Sequence, residues 1–296
     1  MGETDVLRRF NRTYTQRIGA LDESFLGLGL PLGAARLVFE IGEAGATARE
    51  LRSRLGLDSG HLARQLRRLE DDGLVVVAPD PGDRRRRTVR LTTKGRALRR
   101  RLDDRSEQLA EQLIAPLTDR QRQRLTDALA TADLLVRAAT VEIRRVHPAD
   151  PVAVSAVGHY FRELDERFPT GFDPGDAPDH EAMAPGSGAF VVATSDGEPV
   201  ACGGVQALGP GIGEIKRMWV HPGWRGAGLG SRLLRHLEEV AAELGNTEVR
   251  LDTNGTLVEA IAMYDRAGYR RIDRYNDNPY AEAWFAKELT APNPRA

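Results

Sequence analysis

Lysine, cysteine and long apolar runs are what this 296-residue chain has least of. The single cysteine, Cys202, excludes an internal disulfide and a cysteine-based metal cluster, and its apolar neighbours mark it as a small core thiol. No apolar stretch approaches the roughly 20 residues that a membrane-spanning helix needs, so no membrane partner is expected. Met1 to Arg9 lacks the apolar core of a secretion signal, and the expectation is a cytoplasmic protein. His61, His147, His159, His180, His221 and His236 fall at no metal-ligand spacing, so no metal is expected. Lysine supplies only three of the 42 cations (Lys94, Lys216, Lys287). Arginine, the better fork for a phosphate, carries the rest.

A net charge of −1 conceals two unlike halves. Residues 1–140 hold 26 cations against 20 acids, and residues 141–296 hold 16 against 23. A basic half joined to an acidic half points to two different partners. The length fits two domains, and the spacing below divides them into 1–138 and 139–296.

The first half reads as mostly helical. Leu7, Phe10, Tyr14, Ile18 and Leu21 recur at helical spacing, and Leu32 to Ile41 forms a second helix ended by glycine. Thr47 with Glu50 makes a capping box, Gly56 stops that helix, and Asp58 or Ser59 caps the next, which runs to about Asp72. Helix, glycine turn, helix is the outline of a helix-turn-helix. In its second helix Leu62, Leu66 and Leu69 face inward, while His61, Arg64, Gln65 and Arg68 share a neighbouring face. Such a face is either solvated or laid against base edges and phosphates. A β-branched run, Leu74 to Ala78, then a turn, four arginines (Arg84, Arg85, Arg86, Arg87) and Thr88 to Thr92 make a hairpin with a basic tip suited to a narrow minor groove. Long helices from Lys94 to Ala115 and from Thr118 onward carry leucine stripes that either pack within the chain or join two copies.

Asp83-Arg84-Arg85 followed by Val89-Arg90-Leu91-Thr92-Thr93-Lys94-Gly95 resembles the wing of MarR-type winged-helix regulators. The resemblance covers residues 1 to about 138. It implies a homodimer bound to near-palindromic double-stranded DNA. Ser59, His61, Arg64, Gln65 and Arg68 would lie on the recognition helix and Arg84 to Arg87 on the wing.

In the second half strands alternate with helices. Strand Glu214–Val220 runs into Arg225-Gly226-Ala227-Gly228-Leu229-Gly230, and an amphipathic helix with Leu229, Leu233, Leu237 and Leu244 on one face runs out. Glycines between a strand and a helix N-terminus aim free N–H groups, and the positive end of the helix dipole, at an anion. By itself this is equally a tight turn that starts a helix. The loop resembles the Arg/Gln-x-x-Gly-x-Gly/Ala pyrophosphate loop of the GNAT acetyltransferases. A second stretch, Glu259 to Tyr269, is similar to the later helix bearing that family's tyrosine.

The GNAT likeness covers about 141–289 and implies transfer of an acetyl group from acetyl-CoA to an amine. It places Arg225, Gly226, Ala227, Gly228, Leu229 and Gly230 on the pyrophosphate, and Met218 and Val220 beside the pantetheine. Tyr264 is then the acid for the departing thiolate. Glu214 is either a base acting through water or a plain ion pair. Many relatives carry asparagine seven positions before the tyrosine; here Leu257 stands there, and Asn254 is the nearby substitute. Strand alternation would put Glu214, Lys216 and Met218 on one face and Ile215, Arg217 and Trp219 on the other. Lys216 and Arg217 beside the acceptor suit a small amine with a carboxylate, such as an amino acid. Tyr275 and Asn276 are expected near the acceptor, with Phe168 to Phe172 as a lid.

The expected architecture is multidomain: a mainly-α winged helix-turn-helix followed by an α/β (α+β) domain with a mixed, twisted central sheet. The expected function is a DNA-binding regulator fused to an acetyl-CoA-dependent N-acetyltransferase. The rival readings are a regulator whose second half senses acetyl-CoA or an amine without turnover, and an enzyme whose winged helix only dimerises.

Overall fold

The computed structural model describes residues 2–79, 87–175, 181–195 and 197–289. The chain forms two compact units, Met1–Arg124 and Leu125–Ala296.

The first unit opens with α1 (Glu3–Arg17), which buries none of its residues. It stops short of Ile18 and Leu21, so the expected stripe ends one turn early; Leu21 is exposed. Helix α2 (Leu32–Ile41) starts after Pro31, buries Ala34, Ala35, Leu37, Val38 and Ile41, and ends at Gly42 with φ +64°. A two-residue strand β1 (Ala46–Thr47), too short to show a period, precedes α3 (Ala48–Leu55). The Thr47 hydroxyl accepts from the Glu50 amide while the Glu50 carboxylate accepts from the Thr47 amide, the reciprocal bonding that the sequence implied. Asp58 caps α4 (Ser59–Asp71) by accepting from the His61 amide at 2.8 Å. Strands β2 (Val75–Pro79) and β3 (Arg87–Leu91) pair antiparallel, with β1 on the other side of β3. Thr92 caps α5 (Thr93–Ile114). Leu62, Leu66 and Leu69 of α4 join α2 and the sheet in one core. Helix α6 (Asp119–Thr140) follows, and the division between the units falls inside it.

In the second unit the order is β4 (Ile143–Val146), α7 (Pro151–Arg167), β5 (Gly188–Ser195), β6 (Glu198–Gly209), β7 (Ile212–Val220), α8 (Leu229–Glu243), β8 (Glu248–Thr253), α9 (Val258–Arg266), β9 (Arg270–Ile272) and β10 (Ala283–Glu288). They build a seven-stranded sheet in the order β4-β5-β6-β7-β8-β10-β9. Among the described strand pairs of this sheet only β7–β8 is parallel, which makes the sheet mixed. Helix α8 lays Leu229, Leu233, Leu234 and Leu237 on one face of the sheet. Helix α7 lays Ala153, Ala156 and Val157 on the other. With both faces covered, the central strands read as unbroken apolar runs, such as Val200–Val205. No helix among the described residues is long and apolar enough to cross a membrane.

Candidate functional site

The site begins with an irregularity in β7. Opposite Cys202–Gly204 the β6–β7 register shifts, and Arg217 takes φ +53°. A non-glycine residue in that region costs on the order of 1 kcal/mol and signals a bulge. The bulge resets the alternation. Ile215 packs among the α8 leucines, yet Trp219, four residues on, packs against α7. Met218 joins the α8 side, so it does not share a face with Glu214 and Lys216 as simple alternation predicts. The bulge also limits the parallel pairing of β7 and β8 to Ile212–Glu214 with Glu248–Arg250. Beyond Glu214 the two strands part, and a cleft opens at their carboxyl ends.

Two hollows occupy that opening. One, of about 520 Å³, is lined by Met218, Val220, Arg225, Gly226, Gly228, Gly230 and Tyr264 with residues of α7 and α9. The other, of about 490 Å³, is lined by Lys216, Arg217, Asp252, Asn254 and an aromatic wall of Phe161, Phe168, Phe172 and Tyr280. Tyr160, Leu164, Met218, Leu257, Ala260 and Tyr264 belong to both, so the hollows meet at these side chains.

The glycine loop forms the outer end of the first hollow. Gly226 and Gly228 adopt φ +80° and +79°, conformations that favour glycine, and Gly228 is the N-cap of α8. The amides of residues 226 to 231 donate to no protein acceptor among the described residues; the first helical amide to do so is that of Arg232, to the Gly228 carbonyl. A Cβ on Gly230 would stand 3.3 Å from the Met263 sulfur, so glycine keeps this wall thin. Arg225 is held away from the loop. Its Nε donates to the Val220 carbonyl at 3.0 Å and its guanidinium pairs with Glu163 of α7 at 2.5 Å. Glu163 also accepts from the Trp219 indole at 2.8 Å. Arg225 thus braces the end of β7 against α7.

Tyr264 stands where the hollows join. Only 6% of it is exposed, and among the described residues nothing accepts from its hydroxyl. Burial, with the Asp252 charge adding to it, pushes its ionisation far above the usual phenol range. It is therefore a protonated donor throughout the working pH range.

Glu214 lines neither hollow. It is 2% exposed and accepts from four groups: Gln206 at 2.8 Å, Tyr275 at 3.0 Å, Lys216 at 3.1 Å and Asn276 at 3.2 Å. Lys216 is equally committed, bridging Glu214 and Asp252. Burial works to discharge it, but the two carboxylates hold its ionisation above the usual lysine range. Tyr275 and Asn276 sit behind the acceptor hollow, holding Glu214 and Asp252. Asn254 lies on the acceptor hollow and not on the cofactor side. Its amide is used on the Tyr280 carbonyl and its oxygen on Thr256, so it does not replace the asparagine missing at Leu257. Phe172 forms part of a fixed wall, its ring 4.8 Å from Tyr280. Asp252 escaped the sequence reading. Its position at the carboxyl end of a parallel strand was the available signal. Glu163 left no such signal, because its partners lie 56 and 62 residues away. Among the described residues no group of histidine, cysteine and acids could hold a metal ion.

In the first unit, α4 presents Ser59, Arg64 and Arg68 to solvent, joined by Arg67. His61 and Gln65 are half-buried and bonded to each other at 2.8 Å. Arg87 is exposed at the start of β3; Arg84, Arg85 and Arg86 lie outside the described residues.

Two family models match the chain: the acetyltransferase (GNAT) family over residues 158–269 and the MarR family over 28–86. The IAA acetyltransferase of Azospirillum brasilense is 31% identical over 141 residues, 47% of this chain and 90% of that protein. The HTH-type transcriptional regulator TtmR of Methylorubrum extorquens (strain PA1) is 37% identical over 103 residues, which cover 34% of this chain and 52% of TtmR. Among solved structures, wild-type MarR from E. coli in its apo form is 26% identical, covering 45% of this chain and 97% of that one with a TM-score of 0.38. The chain belongs to the GNAT acetyltransferase family and carries a MarR-family winged-helix domain fused ahead of the transferase.

Proposed function

We propose that the second unit transfers an acetyl group from acetyl-CoA to a primary amine, and that the first binds a near-palindromic duplex DNA as a homodimer. The observation that carries the enzymatic reading is the row of undonated amides at residues 226 to 231, at the N-terminus of a 15-residue helix. Unpaired N–H groups and the helix dipole together suit a diphosphate. From there the cleft leads past Val220 and Met218 to Tyr264. That path lets the pantetheine run along the unpaired end of β7, with the thioester at the junction of the hollows.

The chemistry follows from that placement. The acceptor ammonium gives one proton to water in the second hollow, and its free nitrogen attacks the thioester carbonyl. The carbon–sulfur bond breaks, the Tyr264 hydroxyl protonates the departing thiolate, and the amide nitrogen sheds its second proton, which restores the tyrosine through solvent. Products are the acetamide, coenzyme A and one proton. Glu214, closed off by four donors, acts here as a positioning residue for Lys216 and Tyr275. Phe172 and the other wall rings hold the body of the acceptor. Lys216 is neutralised by two carboxylates, while Arg217 also lines the acceptor hollow. Incubation with acetyl-CoA and a panel of amines, followed by thiol release, tests this reading. Release dependent on an amine is expected; binding of coenzyme A without release from any amine would refute it.

For the first unit, the exposed arginines of α4 support contacts with phosphates and base edges. The apolar residues that α1 leaves in solvent, Leu7, Phe10 and Tyr14 among them, support burial against a second copy.

A further inference from the structure

The glycine loop is held from outside the cofactor hollow, by the end of α6. The division between the two units falls inside that helix, and its residues from Leu125 onward belong to the second. Ala138 and Val141 are buried in the core that also holds Leu229, Leu233 and Leu234 of α8. Two further contacts tie α6 to either end of the loop. Before the loop, the Arg137 guanidinium lies over the Trp224 ring, 4.8 Å from its centroid. Trp224 is buried and closes the 3-10 turn Pro222–Trp224, which leads into Arg225 and the glycines. After the loop, Arg232 of α8 donates from Nη1 to the Ala138 carbonyl at 2.8 Å and to the Ala139 carbonyl at 3.3 Å.

Electrostatics account for the second contact. Arg232 is the fourth residue of α8, so its charge stands near the positive end of its own helix dipole, the unfavourable end for a cation. The Ala138 and Ala139 carbonyls are among the last four of α6, which lack intrahelical partners and carry the negative end of that dipole. One guanidinium thus satisfies the end of one helix at the start of another. Neither Trp224 nor Arg232 lines the cofactor hollow, whereas Arg225, Gly226, Gly228, Gly230 and Ser231 between them do. Both contacts therefore act on the loop and not on its ligand. The segment between them holds three glycines, the residue that loses most freedom on ordering. A loop fixed beforehand does not subtract that loss from the binding free energy.

We propose that the end of α6 is part of the coenzyme site. Arg137 and Arg232 are positioning residues: from opposite ends of the loop they hold the amides of residues 226 to 231 in the arrangement that receives the diphosphate. The transferase unit thereby draws on a helix that precedes its sheet in the chain. This assignment rests on coenzyme binding at those amides, and deepens it by naming what keeps them in place.

Calorimetric titration of coenzyme A and of pantetheine into the full chain separates this role from general support of the fold, because pantetheine lacks the diphosphate. In Arg232→Gln the affinity for coenzyme A is expected to fall about tenfold, while that for pantetheine stays within about twofold of the unaltered chain's. Arg137→Gln, which leaves Trp224 without a cation, is expected to lower coenzyme A affinity severalfold, and Arg137→Lys, which returns one, to recover most of it. Coenzyme A affinity that stays within about twofold in both glutamine variants overturns the proposal. So does an equal loss for pantetheine, which would mean that the two arginines only support the fold. Should Arg232→Gln fail to melt cooperatively, the two Arg137 variants decide alone. No heat from coenzyme A with the unaltered chain refutes the diphosphate reading itself, and this inference with it, so the two failures are told apart.

Discussion

At the scale of single residues, the acid and the buried cation make opposite kinds of prediction. Tyr264 has one donor to give, and phenylalanine keeps its ring contacts with Tyr269 and Phe285. In Tyr264→Phe, kcat is expected to fall by about 100-fold or more, the usual worth of a positioned acid. The affinity for coenzyme A, measured by calorimetry, should change little. Because burial and Asp252 raise the Tyr264 ionisation well beyond the accessible range, no alkaline loss of rate should be traceable to it below about pH 10. Lys216 acts on stability. Its folded-state ionisation lies above the unfolded value, so its contribution is complete below the ordinary lysine value near 10.4 and disappears as pH rises through the higher folded value. Lys216→Met leaves Glu214 and Asp252 buried without their cation, and should cost about 3–5 kcal/mol in chemical denaturation near neutral pH. A change below about 1 kcal/mol would mean the cluster rearranges freely.

At the scale of elements, close approach of backbones explains what most substitutions would do. Gly95 lies in the first turn of α5, against the residue before β2: a Cβ there would stand 2.0 Å from the Leu74 carbonyl oxygen. Since that oxygen is held by the Thr92 amide at 3.0 Å, Gly95→Ala should destabilise the first unit by about 1–3 kcal/mol. Thermal unfolding should show the effect, with acetyl transfer by the second unit preserved. The same scale shows what the sequence could convey. Caps were legible because Thr47 with Glu50 and Asp58 with His61 act over three residues. Helices with a buried stripe, such as α4 and α8, were legible for the same reason. The β7 bulge was not. It depends on register against β6, and it moved Met218 and Trp219 to faces that a period of two does not assign. Likewise Glu214 looked available in sequence, because the four groups that occupy it arrive from β6, β7 and the segment before β10. Asn254 looked like a cofactor contact for want of any sign that Tyr280 and Thr256 would claim it.

At the scale of the whole molecule, the asymmetry of charge in the sequence coincides with two compact units, one basic in its exposed arginines and one with an aromatic-walled acceptor hollow. If each unit works by itself, DNA binding and acetyl transfer are separable by substitution. Arg64→Ala with Arg68→Ala should weaken DNA binding, while thiol release from acetyl-CoA is unchanged. The slope of log affinity against log salt should become shallower by about 0.9 for each phosphate that the variant no longer neutralises. A parallel fall in both activities would contradict independence.

The most direct test lies in the amides of residues 226 to 231. Calorimetry on the full chain should record saturable heat with coenzyme A. Pantetheine, which keeps the arm and lacks the diphosphate, should bind at least about 100-fold more weakly, a difference near 3 kcal/mol. No heat from coenzyme A at about millimolar concentration, or equal affinity for the two, would contradict the account.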